Sequence, residues 1–287
     1  MYFHPLHIPY IGIMKKLLFI LATSCLTLSC SSQQKIKGDR DVISVNGDLA
    51  TGINTIEVSN DIKVRLVKAN SNDYILTTDR NLVSVVDFNV NDSILSIKTN
   101  MKVTGSKEME VYVKLIDPQH IILHDDAEIR TPGYIETSNF SLNGSSGSRF
   151  DLNITSASAK VTLRENSGGE LNLKGDHFNL DMTGRTDLEG EFTTTDKYSV
   201  TLKDNAEFAP KGKTEYLTLI TEGKADFKGR RLTSQEAEAT LSSRSNAAVF
   251  AQKSLSIFAK DKSKIEVYGS PDVNVKNLGD SAEIVKK

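Results

Sequence analysis

Apolar and polar residues alternate along this chain in short runs such as Val161-Thr162-Leu163, Leu180-Asp181-Met182, Val200-Thr201-Leu202, Leu217-Thr218-Leu219 and Leu255-Ser256-Ile257. Successive side chains of a strand point to opposite faces, so each run predicts a strand with one buried face. A second pattern is superimposed on the first. A small residue, a mostly charged residue and an apolar residue recur as Ala127-Glu128-Ile129, Ser148-Arg149-Phe150, Gly169-Glu170-Leu171, Thr186-Asp187-Leu188, Ala206-Glu207-Phe208, Ala225-Asp226-Phe227, Ala247-Ala248-Val249, Ser263-Lys264-Ile265 and Ala282-Glu283-Ile284. The eight intervals from Ile129 to Ile284 average about 19 residues. Turn residues intervene, as in Asn143-Gly144, Gly168-Gly169, Thr183-Gly184, Asp204-Asn205 and Glu222-Gly223.

A unit of two or three such strands cannot bury its apolar face alone, whereas stacked equivalent units share the burial between neighbours. The pattern therefore predicts an all-β fold, a single-stranded parallel β-helix or β-solenoid with coils of about 19 to 20 residues. A spacing of about 4.8 Å between strands makes it a rod roughly 40 Å long. An antiparallel sandwich would not return the same triplet at that interval. A membrane barrel needs strands of roughly 10 residues with aromatic girdles; the runs here are shorter and Trp is absent.

Residues 53–116 alternate over longer runs, such as Ile62-Lys63-Val64-Arg65-Leu66, with Asn91-Asp92-Ser93 as a hairpin-like turn between Val90 and Ile94. Residues 45–118 are expected to form a meander or cap at the N-terminal end, and residues 119–287 the repeated coils, because a solenoid needs polar caps.

Composition narrows the class. In 287 residues, 38% hydrophobic and 25% charged side chains fit neither a disordered polyampholyte nor an integral membrane protein. A formal charge of −2 with lysines and acids interspersed leaves no footprint for nucleic acid. Both cysteines, Cys25 and Cys30, precede the repeats, so no disulfide staples the body of the protein.

The N-terminus reads as an address. Met14-Lys15-Lys16 followed by Leu17 to Leu28 has the charged and apolar regions of a secretory signal, too short to span a bilayer as a mature helix. Met14 is an alternative start to Met1. Leu26-Thr27-Leu28-Ser29-Cys30 resembles a bacterial lipoprotein signal, with Thr27 where an aliphatic residue is usual. Residues 1–29 are thus expected to be a signal peptide, with Cys30 lipidated and residues 30–44 a tether. Cys25 is the rival site, and cleavage with release into the periplasm the alternative to anchoring. The tether Ser31-Ser32-Gln33-Gln34-Lys35 lacks the acidic run that resembles a surface-export signal in Bacteroidetes-type lipoproteins. An outer-membrane lipoprotein on the periplasmic face is the expectation.

Gly52-Ile53-Asn54, Ile56-Glu57-Val58, Ile62, Val64, Leu66, Asn81-Leu82, Val90, Leu95-Ser96-Ile97 and Val111-Tyr112-Val113 together resemble the family described as putative auto-transporter adhesin, head GIN domain. The resemblance covers residues 45–270. Gly144-Ser145-Ser146-Gly147-Ser148 resembles that family's Gly-Ser-Gly turns, from which His124-Asp125-Asp126 departs. It implies a parallel β-helix similar in shape to pectate lyases, without recognisable catalytic residues.

Candidate chemistry is sparse. Glu170, Asp187, Glu207 and Asp226 precede apolar residues and would form an outward column of four acids. Such a column either binds a divalent cation through hard oxygen ligands or pairs with Lys203, Lys224 and Lys228. His120 and His124 with Asp125 and Asp126 are candidates for metal ligands or for a base with its orienting acid, but residues four apart on a strand lie about 13 Å apart. His177 stands alone between Asp176 and Phe178. A polysaccharide-cleaving enzyme would need converging carboxylates or cations, and no such cluster is evident. Aromatic stacking would fall to Tyr74, Tyr112, Tyr134, Tyr198, Tyr216 or Tyr268. The expectation is a non-enzymatic envelope lipoprotein without a cofactor that presents a solenoid surface to a glycan or envelope protein, with a β-helix carbohydrate-active enzyme as the alternative.

Overall fold

Strand follows strand almost without helix, as period-two alternation requires. The computed structural model describes residues 1–2 and 34–287, so the expected signal peptide, with Cys25 and Cys30, lies outside the described residues. Lys35–Lys287 form one compact unit.

The first part carries nine short strands, β1 (Lys35–Ile36), β2 (Val42–Asp48), β3 (Thr55–Val58), β4 (Lys63–Lys68), β5 (Asp73–Asp79), β6 (Val86–Asn91), β7 (Ile94–Thr99), β8 (Lys102–Val103) and β9 (Met109–Leu115). Next come β10 (His120–Leu123), β11 (Glu128–Arg130) and β12 (Ile135–Gly144). Six long strands follow, β13 (Arg149–Glu165), β14 (Gly168–Gly184), β15 (Asp187–Asp204), β16 (Glu207–Thr221), β17 (Asp226–Leu241) and β18 (Asn246–Ala259). The last are β19 (Lys264–Gly269), β20 (Asp272–Leu278) and β21 (Glu283–Lys286).

Each long strand is one coil bent at a corner. Its front half aligns with Arg149–Ser156 and its back half with Ser158–Glu165, and every coil pairs in parallel with the next. The predicted β-solenoid is the fold. Inward side chains stack in columns, Leu142, Val161, Leu180, Val200, Leu219, Ala239 and Ile257 on the back, all buried. Coils close through a residue with left-handed backbone at Glu165, Gly184, Asp204, Gly223, Ser243, Asp261 and Asp280. Asp tolerates that conformation better than most side chains because it hydrogen-bonds locally, which is why glycine is needed only twice.

Seven of the nine predicted triplets fall in register. The small-residue column is Ala127, Ser148, Ser167, Thr186, Ala206, Ala225, Ser245, Ser263 and Ala282, with all but Ala282 buried. The triplets at Gly169 and Ala247 are misplaced by two residues: Ser167-Gly168-Gly169 and Ser245-Asn246-Ala247 occupy those positions. Leu171 and Val249 are buried nonetheless, one inward column further on. A one-residue slip would have turned them outward, but a slip of two keeps every side chain on its face.

At the N-terminal end, space and sequence disagree. The parallel front order is β9, β4, β11, β13 and the back order β7, β3, β10, β12, so the chain lays β7 and β9 beneath β3 and β4 before climbing past them. Antiparallel pairs β2 with β5, β5 with β9 and β6 with β7 join at this end, where the ring of Tyr74 stacks on Phe88 at 3.9 Å. The β6–β7 hairpin turns at Asp92 with φ 53°. Fully buried Asp79 accepts the Lys107 N–H at 3.1 and 3.3 Å, tying the 102–108 segment to β5.

Beneath the middle coils the core is aromatic. Phe192 lies 5.1 Å from Phe178 and 5.3 Å from Phe208, and Phe208 5.9 Å from Phe227. Tyr198 sits among them, fully buried; its hydroxyl has no partner and burial pushes its pKa well up. Tyr198, one of the tyrosines to which aromatic stacking would fall, is therefore excluded as a stacking platform: its period-two position is inward.

Candidate binding groove

The parallel ladder is most strongly broken between β17 and β18. Gly229 pairs with Val249 and Thr233 with Phe250, so Arg230, Arg231 and Leu232 on β17 face no residues of their own on β18. Against β16 the slip is one residue, since Phe208 pairs with Phe227 and Lys211 with Arg231. A bulge re-aims the side chains it carries. Here two consecutive residues, Arg230 and Arg231, are exposed, and Leu232 returns to the core.

Beside the bulge lies an open groove of about 510 Å³. Short side chains make it. Ala248 stands outward between Lys228 and Glu266, and Asn246 between Asp226 and Lys264. Ala209, Phe227 and Ala247 contribute apolar lining, and Tyr268 lines the groove above.

Four cations and two carboxylates line the groove, and most are already engaged. Lys228 pairs closely with Glu207 and lies 4.0 Å from Asp226. Glu266 accepts the Tyr268 hydroxyl at 3.1 Å and faces Lys264 at 3.5 Å and Lys287 at 3.4 Å. These donors, Tyr268 first, hold the Glu266 carboxyl below its ordinary pKa. Asp226 is raised instead: burial is the main cause, Lys228 opposes it, and Glu207 and Glu266 add to it. Among the described residues, neither Arg230 nor Arg231 has a carboxylate within 4.0 Å.

The four predicted acids do not form one column. Glu170 faces Glu189, whereas Gly168 stands beside Asp187. The missing side chain lets Arg149 reach over Gly168 to Asp187, Nη1 to Oδ1 2.8 Å. Asp187, Glu207 and Asp226 do stack on successive coils, with Arg149 on the first and Lys228 on the other two. Lys203 pairs with Glu222 at 3.9 Å instead. Among the described residues, no three His, Cys, Asp or Glu side chains are placed to hold a metal ion.

The histidines are spread along the stack. His120 Nδ1 lies 2.8 Å from the Ser141 hydroxyl and His124 Nδ1 2.8 Å from that of Ser145, each on the neighbouring coil. Asp125 and Asp126 supply the left-handed turn between β10 and β11. His177 faces Asp196 at 3.4 Å. Of the tyrosines, Tyr134 is exposed beneath Lys174, whose Nζ is 4.5 Å from the ring centroid, and Tyr268 lines the groove.

The fold and its groove define a parallel β-solenoid whose surface departs from regularity where cations gather. The sequence model of the family described as "Putative auto-transporter adhesin, head GIN domain" matches twice, at residues 52–176 and 162–271. The chain belongs to that family. Three solved structures share the fold. One described as a putative adhesin from Parabacteroides merdae has 15% identity and a TM-score of 0.61 over 88% of this chain and 99% of its own. One described as a putative lipid binding protein from Parabacteroides distasonis has 16% identity and a TM-score of 0.60 over 88% and 100%. A putative adhesin from the same organism has 17% identity and a TM-score of 0.61 over 88% and 100%. Among curated proteins there is no match. No helix among the described residues is long and apolar enough to cross a membrane.

Proposed function

We propose that this protein is a non-catalytic binding protein of the bacterial cell envelope, held there by a lipid on Cys30 and presenting the groove over β16–β19 to its ligand. The observation that carries this reading is the bulge, which leaves Arg230 and Arg231 exposed beside a groove whose other charges are largely paired. Charge without a partner on an otherwise neutralised face is a feature that contact with another molecule would use. The adhesin description of the family agrees with it. The acyl chain of a lipid finds less support, since charged side chains crowd the groove.

A second reading is a carbohydrate-active enzyme, favoured by the two carboxylates, Asp226 and Glu266, that line the same groove. One assay separates the two. Purified protein on a panel of acidic and neutral polysaccharides is expected to bind without turnover, and turnover would overturn the first reading. Anchoring has its own test: Cys30→Ser should abolish lipid labelling and move the protein to the soluble fraction, and the same result from Cys25→Ser alone would relocate the anchor.

A further inference from the structure

A regular strand cannot present two neighbouring side chains on one face. The bulge in β17 does so, and the pair it presents is two arginines. Guanidinium groups are planar forks that match carboxylate and phosphate oxygens bidentately, whereas ammonium groups act as point charges. The lysines of the groove are already held by carboxylates, Lys228 by Glu207 and Lys264 by Glu266. The unmatched charge thus belongs to the two groups best shaped for a planar or tetrahedral anion.

The rest of the groove fits a sugar. Its volume, about 510 Å³, lies within the range of small-molecule sites, about 300–1,000 Å³. It is open, so a polymer can pass along it. Tyr268 lines one side with its hydroxyl tied to Glu266, which restrains the ring as an apolar surface. Asn246 adds an amide that both donates to and accepts from hydroxyls.

We propose, resting on the binding reading above, that the groove recognises an anionic sugar whose carboxylate or phosphate is taken by Arg230 and Arg231 while Tyr268 and Asn246 meet the ring. An acidic peptide would use the arginines but not require the sugar contacts, and it is an outcome of the test.

The test titrates the mature protein against polygalacturonate, which carries carboxylates, phosphomannan, which carries phosphates, and uncharged dextran, with polyglutamate as the acidic peptide, at low and high salt. Binding to at least one anionic polymer, weakened by salt and absent for dextran, is expected, and the stronger of the two identifies the anion. The double variant Arg230→Gln/Arg231→Gln should lose at least about tenfold in affinity, as the loss of a charge-assisted pair implies. Its melting temperature should hold, because both side chains are exposed. The control Arg164→Gln/Arg185→Gln removes the same charge from exposed positions outside the groove and should bind as the unaltered protein does. Equal binding to dextran, equal loss in the control, or binding to none of the three polymers overturns the sugar assignment. If the groove variant instead loses affinity for an acidic peptide, the ligand class fails while the binding reading stands. Cleavage of a bound polymer, still dependent on the arginines, overturns the non-catalytic reading and leaves the ligand class intact.

Discussion

The front of the lower coils and the front of the upper coils use small residues to opposite ends. At β13–β15, Gly168 removes a side chain so that Arg149 can close over it onto Asp187, and the ladder from Arg149 to Ser156 pairs without interruption. At β16–β19, Asn246 and Ala248 open a groove, and the ladder slips by three residues. The back halves of the same coils stay in register from Glu236 through Leu241. Because each coil is held by its neighbours on two faces, one face can deviate while the other keeps the stack aligned. The irregular face thereby departs from the ladder without disturbing the stack.

The two regions rest on one core, and the largest expected effect removes it. Phe208→Ala should cost about 3–5 kcal/mol, since it deletes a fully buried ring packed between Phe192 and Phe227. Denaturant unfolding measures it, and a loss below 1 kcal/mol would mean that the coils do not share this core. A smaller effect separates the regions directly. A Cβ on Gly168 would meet the Asp187 carbonyl oxygen at 2.3 Å, so Gly168→Ala should cost about 1–3 kcal/mol. Ala248→Ser, facing the groove, should stay within about 0.5 kcal/mol. Equal costs at both positions would erase the distinction between a closed and an open front.

The smallest effect is a pH dependence. Asp226 holds its proton to higher pH when folded than when unfolded, chiefly through burial, so the folded state binds more protons in that interval. Its contribution to stability therefore falls as pH rises from the ordinary carboxylate range through the raised value. Asp226→Asn should raise the melting temperature at neutral pH and lose that advantage in acid. An advantage that grows toward acid would reverse the sign and show that Lys228 outweighs burial.

Much of this architecture was legible in one dimension. Alternation identified the strands, and seven triplets found their column because a small residue must precede each front strand where the turn packs inside. Glu170 was misassigned for a physical reason: hydrophobic period two distinguishes inside from outside but not one inward position from the next. The bulge left a trace. From Gly229 to Leu232, both on inward positions, the spacing is three, an odd number that period two does not allow. Which coil absorbs the extra residues depends on its neighbour, because β18 is the strand that lacks partners for them.

The coil length, the all-β class and the family resemblance were thus carried by the sequence itself, since they depend on local alternation and on repetition along the chain. The passage of β7 and β9 beneath β3 and β4, the bridge over Gly168 and the groove at Arg230 and Arg231 were decided only by tertiary structure. Each depends on which residue of one coil hydrogen-bonds beside which residue of the next, and a sequence pattern that sets the face of every side chain does not set that register.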